Sequence, residues 1–483
     1  MIWLCPFVIA LYVGILPELE NFRNPRIPGE IHFERLRPGL ESDGAITKGR
    51  SPSSPQRSGS GWSMDWFYDR FDDLMGWDHN PWKSSKQIFG SHFFDLTQSM
   101  NPNDRALVEE LRRLGDHLHE RVLERYPELM VPDKNVPAER NGLLKWLELS
   151  ERFLADPSRP GDRSDKSLGV PKELTSYLNG KGPWDPDAAR SWLATNKELL
   201  DQIRGIGLMP EQSNSGIGID RWSFPNARFA KSCAEALLID ARLAVEEGDF
   251  AGAMESVRAA RGLGNHYTEV ETPSLIGTTV KIVIDLQVQS RVLSELMPAV
   301  PPEQLDPAAW EAALDPQVAP PSTFGRLMKG EWNVTSREYL MPMLADANDP
   351  KYPRDPEALI DHQANSSLAI IRTYNSNSPA DWATVAAPPF LDISQLSRDS
   401  RELAAALFVG ASAWSKGMVR AQSQSGMTQA AFAIMKGEPI PKDPIHGLPY
   451  QWDPASRLLS APDSPVFAGQ NLQPITVPEP QHQ

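Results

Sequence analysis

A chain of 483 residues with 40% hydrophobic content can hold two or three domains, or one large core with extensions. Its formal net charge of −15 argues against nucleic acid or an anionic membrane surface as a main partner. Only two cysteines are present, Cys5 and Cys233, so neither a disulfide framework nor a CxxC metal site is available.

Met1 to Leu16 is apolar and uncharged. It falls just short of the ~20 residues of a spanning helix. No basic residue precedes it and no Ala-x-Ala-like site follows, so a cleaved signal peptide fits poorly, and Cys5 lacks a lipobox. The expectation is a single membrane anchor at 1–16 with the body on the extracytoplasmic side, although Arg23 and Arg26 pull against that orientation. Residues 17–61, rich in Gly, Ser and Pro from Pro38 onward, read as a flexible tether. Ten aromatic residues then crowd the stretch from Trp62 to Phe94, among Asp69, Asp72, Asp73 and Asp78. Within 62–100 such rings would serve as a clasp laid on the body, or as an exposed row that stacks on sugars.

Residues 101–436 read as one helical domain. Asn101-Pro102, Asp185-Pro186, Asp306-Pro307 and Asp355-Pro356 repeat one device, a side-chain cap followed by proline at the first helical position. Apolar stripes predict helices over 102–125, 139–155 and 186–204, the last ended by Gly205, with a long polar loop over 156–184. Around Phe229 to Met297 three helices follow almost without a gap. Ala230, Cys233, Leu237, Ala241 and Ala244 line the first, and Ala253, Met254, Val257 and Ala260 line the second. Gly248-Asp249 reverses the chain between them, and Phe250 is expected to bridge both stripes near Val245. Thr272 and Pro273 are expected to open the third helix, whose wide apolar surface suits the buried centre of the domain. Further helices are predicted over 306–314, 322–345, 356–377 and 397–436, with the apolar run Leu403 to Trp414 too short to cross a bilayer.

The run LLIDARLAVEEGDFAGAMESVRAARGL resembles a tetratricopeptide-type unit, with small residues at the helix contacts and a Gly-Asp turn before an aromatic. One copy cannot build a solenoid, so the expected fold is all-α, an irregular helical bundle containing one such hairpin. Near the end, KDPIHGLPYQWDPASRLLSAP resembles the Asp-Pro-x-x-Gly-x-Pro-Tyr signature of pseudopilin-like bacterial proteins. That resemblance implies a small β-hairpin over 437–460. With the alanine-rich last helix and the anchor, the whole is similar to a group of exported bacterial helical proteins. The aspartate- and glycine-rich close that usually follows is replaced by APDSPVFAG, so no ion site is carried over; 461–483 reads as a disordered tail.

Chemistry is sparse. His117 and His119 project about 200° apart on a helix and cannot chelate one ion. HExxH, GxSxG, a Walker loop and GxGxxG are all absent, and Gly216-Ile217-Gly218-Ile219-Asp220 lacks the strand context of a phosphate loop. His266, Glu269 and Glu271 form one possible acid–base group, and Glu331 and His362 are isolated candidates. Asn333-Val334-Thr335 fits a glycosylation sequon. No catalytic set, cofactor or metal centre is assigned. The expected function is a non-catalytic cell-envelope protein that binds another protein; the alternatives are a hydrolase assembled from dispersed residues and a carbohydrate binder.

Overall fold

The computed structural model of the chain describes residues 102–156, 168–178, 180–218, 221, 227–318, 322–345, 355–376, 393–397, 400, 411–462, 472 and 474–479. The expected anchor, tether and aromatic segment lie outside these residues, as does Leu403–Gly410 of the apolar run. The helices follow in chain order as α1 (Pro102–Arg125), α2 (Gly142–Ala155), α3 (Lys172–Leu178), α4 (Pro186–Thr195), α5 (Lys197–Gly207), α6 (Ala227–Glu246), α7 (Phe250–Asn265), α8 (Leu275–Arg291), α9 (Pro307–Leu314), α10 (Ser322–Thr335), α11 (Pro356–Ser376) and α12 (Ala411–Lys436). The class is all-α, with one small sheet among the described residues, at the carboxy-terminal end. No described helix is long and apolar enough to cross a membrane.

Caps and breakers set the helix boundaries. Asp185 accepts the Ala188 N–H (3.0 Å) and Asp306 those of Ala308 and Ala309, each ahead of a proline that needs no donor. Asp355 departs from this device, because its carboxylate accepts the Ser397 N–H (2.8 Å) and the hydroxyls of Ser397 and Ser400. The expected helix over 186–204 is two helices. Asn196 turns its amide onto the Trp192 carbonyl (2.9 Å), competing with the backbone ladder, and Gly205 lies inside α5. Within the expected polar loop, α3 forms because Leu174 and Leu178 are buried.

The larger core surrounds α6. Gly248, at φ +80°, reverses the chain, and Asp249 caps α7 through the Gly252 N–H (2.9 Å). Cys233, Ala236, Leu237, Ile239 and Ala241 are all fully buried, although they point to different sides of α6. So α6 is more deeply buried than α8, with only Lys231, Glu235, Asp240, Arg242, Ala244 and Glu246 reaching the surface among its described side chains. By contrast, α8 keeps Lys281, Asp285 and Arg291 partly accessible among more half-buried positions, and begins two residues later than expected, after Ser274, whose hydroxyl accepts the Gly277 N–H. Phe250 is only partly buried, at the edge of the core. At the crossing of α5 and α7, a β-carbon on Gly207 would overlap the Ala259 carbonyl, and one on Gly262 would overlap the Gly207 carbonyl. Two glycines therefore bring the backbones into contact there.

A second core is built from α1, α10 and α11 around Val122, Trp332, Leu340, Leu359 and Leu368. Both α8 and α10 continue into five-residue π-helical turns, Val292–Leu296 and Ser336–Leu340, and each turn is followed by Met-Pro. An ordinary turn would require Pro298 and Pro342 to donate to the carbonyls of Ser294 and Glu338. Proline has no N–H and its ring crowds that carbonyl; the wider turn, in which Met297 and Met341 donate five residues back to Val292 and Ser336, moves the ring clear of it.

At the carboxy-terminal end β1 (Gln451–Asp453), β2 (Leu458–Ser460) and β3 (Ile475–Thr476) form an antiparallel sheet, with Trp452 opposite Leu459 and Leu459 opposite Ile475. The hairpin expected over 437–460 is thus present with an added strand. That strand corrects the expected disordered tail at 474–479. Ile475 and Val477 join Leu459 in the larger core, and Arg457 Nε donates to the Val477 carbonyl (2.9 Å).

Candidate functional site

Three irregular segments, 130–141, 209–218 and 266–274, converge before α8, and Glu271 ties them together. The residue is 5% exposed, and its carboxylate accepts from Lys134 N (2.9 Å), Ser213 Oγ (2.6 Å) and Asn214 N (2.9 Å). Burial alone would raise its pKa; the bonds from Ser213, Lys134 and Asn214 outweigh burial and hold it below the ordinary carboxylate value. Asn141 extends the knot by exchanging bonds with the Ser213 backbone (2.8 and 3.2 Å), and Asn214 donates to Thr272 Oγ1 (2.7 Å).

His266 is fully buried beside this knot. Gln212 spends its amide N–H on the Met209 carbonyl (2.7 Å), so its Oε1 is the acceptor for His266 Nδ1–H at 2.7 Å. Burial pushes the imidazole pKa down to about 3, against a smaller opposing effect of the Ile206 backbone, so the ring is neutral. Glu269 is exposed and lies 3.8 Å from Arg326. The expected acid–base group is therefore divided: His266 serves Gln212, Glu271 holds a loop, and Glu269 faces outward. Gly216 takes φ +69°, and Ile217 packs against Leu143, Leu147, Val270 and Val334, which makes the Gly-rich stretch a tucked turn; Ile219 and Asp220 lie outside the described residues.

Glu331 reaches from α10 to the start of α8, where its Oε2 accepts the Leu275 N–H at 2.9 Å. Burial pushes its carboxyl up to about 7 against that bond and one from the Thr335 hydroxyl, although part of the residue stays accessible. His362 is buried and its pKa is lowered by that burial.

One arrangement was not anticipated. Asn333 donates its amide N–H to the Lys329 carbonyl (2.8 Å), leaving Oδ1 to accept His119 Nε2–H at 3.1 Å. His119 Nδ1 is then the acceptor for the Ser336 hydroxyl at 2.7 Å. This is the hydrogen-bond order of a serine nucleophile with its base and orienting group. It is closed to solvent, since Ser336 is 0% and His119 3% exposed. Burial, then the Arg337 charge, lowers the His119 pKa to about 4. The sequence did carry a signal: His119 falls on the apolar stripe of α1, three residues before Val122. The same buried bonds occupy Asn333, which removes the sequon from the surface.

The Asp443-Pro444 motif forms a turn docked on α12. Asp443 Oδ2 accepts from Ile445 N (3.0 Å) and His446 N (2.7 Å), Gly447 takes φ +65°, and the Pro444 ring and the Tyr450 hydroxyl abut Gly426. Burial raises the pKa of both Asp443 and Tyr450. Among the described residues, no group of three or more His, Cys, Asp or Glu could hold a metal ion. Compared with known protein families, curated proteins and solved structures, the chain has no match.

Proposed function

We propose that the chain is a non-catalytic helical protein of the bacterial cell envelope that works by binding another protein, held at the membrane through residues 1–16. The supporting observation is the rim of the apolar stripe of α1. Leu107 and Leu114, seven residues apart, are 41% and 38% exposed and flank buried Leu111 on the same stripe, so the stripe extends past the core to the surface. Apolar side chains repeated along one helix face fit a partner's groove or an apolar helix. The tetratricopeptide-like hairpin does not supply this surface, because the apolar residues of α6 are spent in the core and its accessible side is mostly charged. A photo-crosslinking residue at position 114 of the full chain, expressed in its own cells, is expected to trap one protein that the same residue at exposed Glu120 does not trap. Equal labelling from both positions would remove the reading.

The Ser336–His119–Asn333 order favours one second reading, a hydrolase whose site opens on binding. Ester hydrolysis that disappears in Ser336→Ala would support it, and equal rates in the two proteins would dismiss it.

A further inference from the structure

The two cores meet along one face of α10. Arg326 Nη2 donates to the Thr268 carbonyl (3.0 Å), Gly330 abuts Pro273 so closely that a β-carbon would overlap its carbonyl, and Val334 packs on Leu143, Leu147 and Val270. Glu331 stands in the middle of this joint, bound to the first backbone N–H of α8. The ionisable groups on the elements packed around it are engaged elsewhere. Arg112 of α1 pairs with Glu338 (3.0 Å) and Asp116 with Arg337 (2.8 Å), while His119 is held by Ser336 and Asn333. On the α8 side Glu269 lies near Arg326, Glu271 is saturated by its loop, and Lys281 pairs with Asp285 (2.6 Å). On α11 Asp361 pairs with Arg125, and His362 is neutralised by burial; Glu128 lies 3.7 Å from Arg372. Tyr339, on the π-helical turn after α10, is the exception: it is buried near enough to Glu331 that the Glu331 charge adds to burial and Glu338 in raising its pKa, so it supplies no positive charge, and no described ion pair includes Glu331.

We propose that Glu331 makes the joint between the two cores responsive to pH: protonated, it closes the start of α8 onto α10, and ionised, it places in the joint a half-buried charge that no cation pairs and loosens that contact. The N–H groups at the start of α8 favour the carboxylate, but a helix end offsets only part of the cost of desolvating a charge. The direction follows from linkage. With burial raising the carboxyl from its ordinary value of 4.5 to about 7, the closed joint holds the proton more tightly than the open one. Closure is therefore complete below 4.5, weakens as pH rises to about 7, and is constant above.

Amide hydrogen exchange of the peptides covering 268–279 and 326–335, in the full chain and in Glu331→Gln, tests this. Glutamine can still accept the Leu275 N–H but cannot ionise. His119 and His266 act equally on both proteins, so the ratio of wild-type to variant opening constants isolates Glu331. That ratio is expected to rise about tenfold per pH unit between pH 5 and 7 and then level off. A ratio independent of pH overturns the proposal. If the variant does not fold, the carbon-13 shift of the Glu331 carboxyl in the wild-type chain decides: a midpoint near 7 supports the joint, and one in the ordinary carboxylate range overturns it.

Discussion

The Glu271 carboxylate accepts the Asn214 backbone N–H at 2.9 Å across 57 residues of sequence, and with the Lys134 N–H and the Ser213 hydroxyl it replaces a cation by three donors. Removing it would leave the buried Asn214 N–H and the Ser213 O–H without an acceptor, each worth about 1–3 kcal/mol, while the Lys134 N–H, on an exposed residue, would lose a partner that water replaces in part. Glu271→Ala is therefore expected to cost about 3–5 kcal/mol in urea unfolding, and Glu271→Gln clearly less because the amide oxygen still accepts. Equal losses would mean that packing, not hydrogen bonding, holds the knot.

The tight crossing at Gly207 and Gly262 leads to an order of stabilities. Gly262→Ala forces backbones apart and should cost about 2–3 kcal/mol, as overpacking does. Gly248→Val should cost about 1–3 kcal/mol through left-handed strain. Phe250→Ala should cost only about 1–2 kcal/mol, since the ring is half-buried and leaves no closed cavity. Thermal unfolding of the three variants checks the order, and a larger loss at Phe250 than at Gly262 would reverse it.

His119 and His266 give the chain an acid limit. Their folded pKa values of about 4 and about 3 lie below the ordinary imidazole value of 6.5, so the unfolded chain takes up these protons first. Their contribution is complete above pH 6.5 and is lost as pH falls towards the folded values. At about 1.4 kcal/mol per unit, the upper limits are about 3 and about 5 kcal/mol. Urea midpoints measured between pH 7 and 4.5 should fall for the wild type and fall less for His266→Gln. Identical slopes would assign acid sensitivity to other groups.

The elements that were legible in the sequence are those set by local rules. Asp306-Pro307 and Gly248-Asp249 each carry their own cap or turn, and the Asp443 motif carries its own turn. What remained illegible depends on pairs far apart in the chain. Nothing near Glu271 indicates that Ser213 and Lys134 will meet it, and nothing near His119 indicates Ser336, 217 residues away. Phe250 was overvalued because an aromatic after a turn says nothing about how deep the neighbouring core extends. The π-turns were readable in principle from Met-Pro inside a helical stripe, since proline removes a required donor.

The most direct test of the account is the double substitution Leu107→Lys and Leu114→Lys in the full chain. Both side chains point outward, and a lysine at 114 stands four residues after Glu110, a favourable spacing. Stability should change by less than about 0.5 kcal/mol, as for other surface changes. The account predicts an unchanged melting temperature together with loss of the protein trapped from a crosslinker at exposed Ala106, one residue before the altered face. An undiminished adduct in a fully folded variant would contradict it.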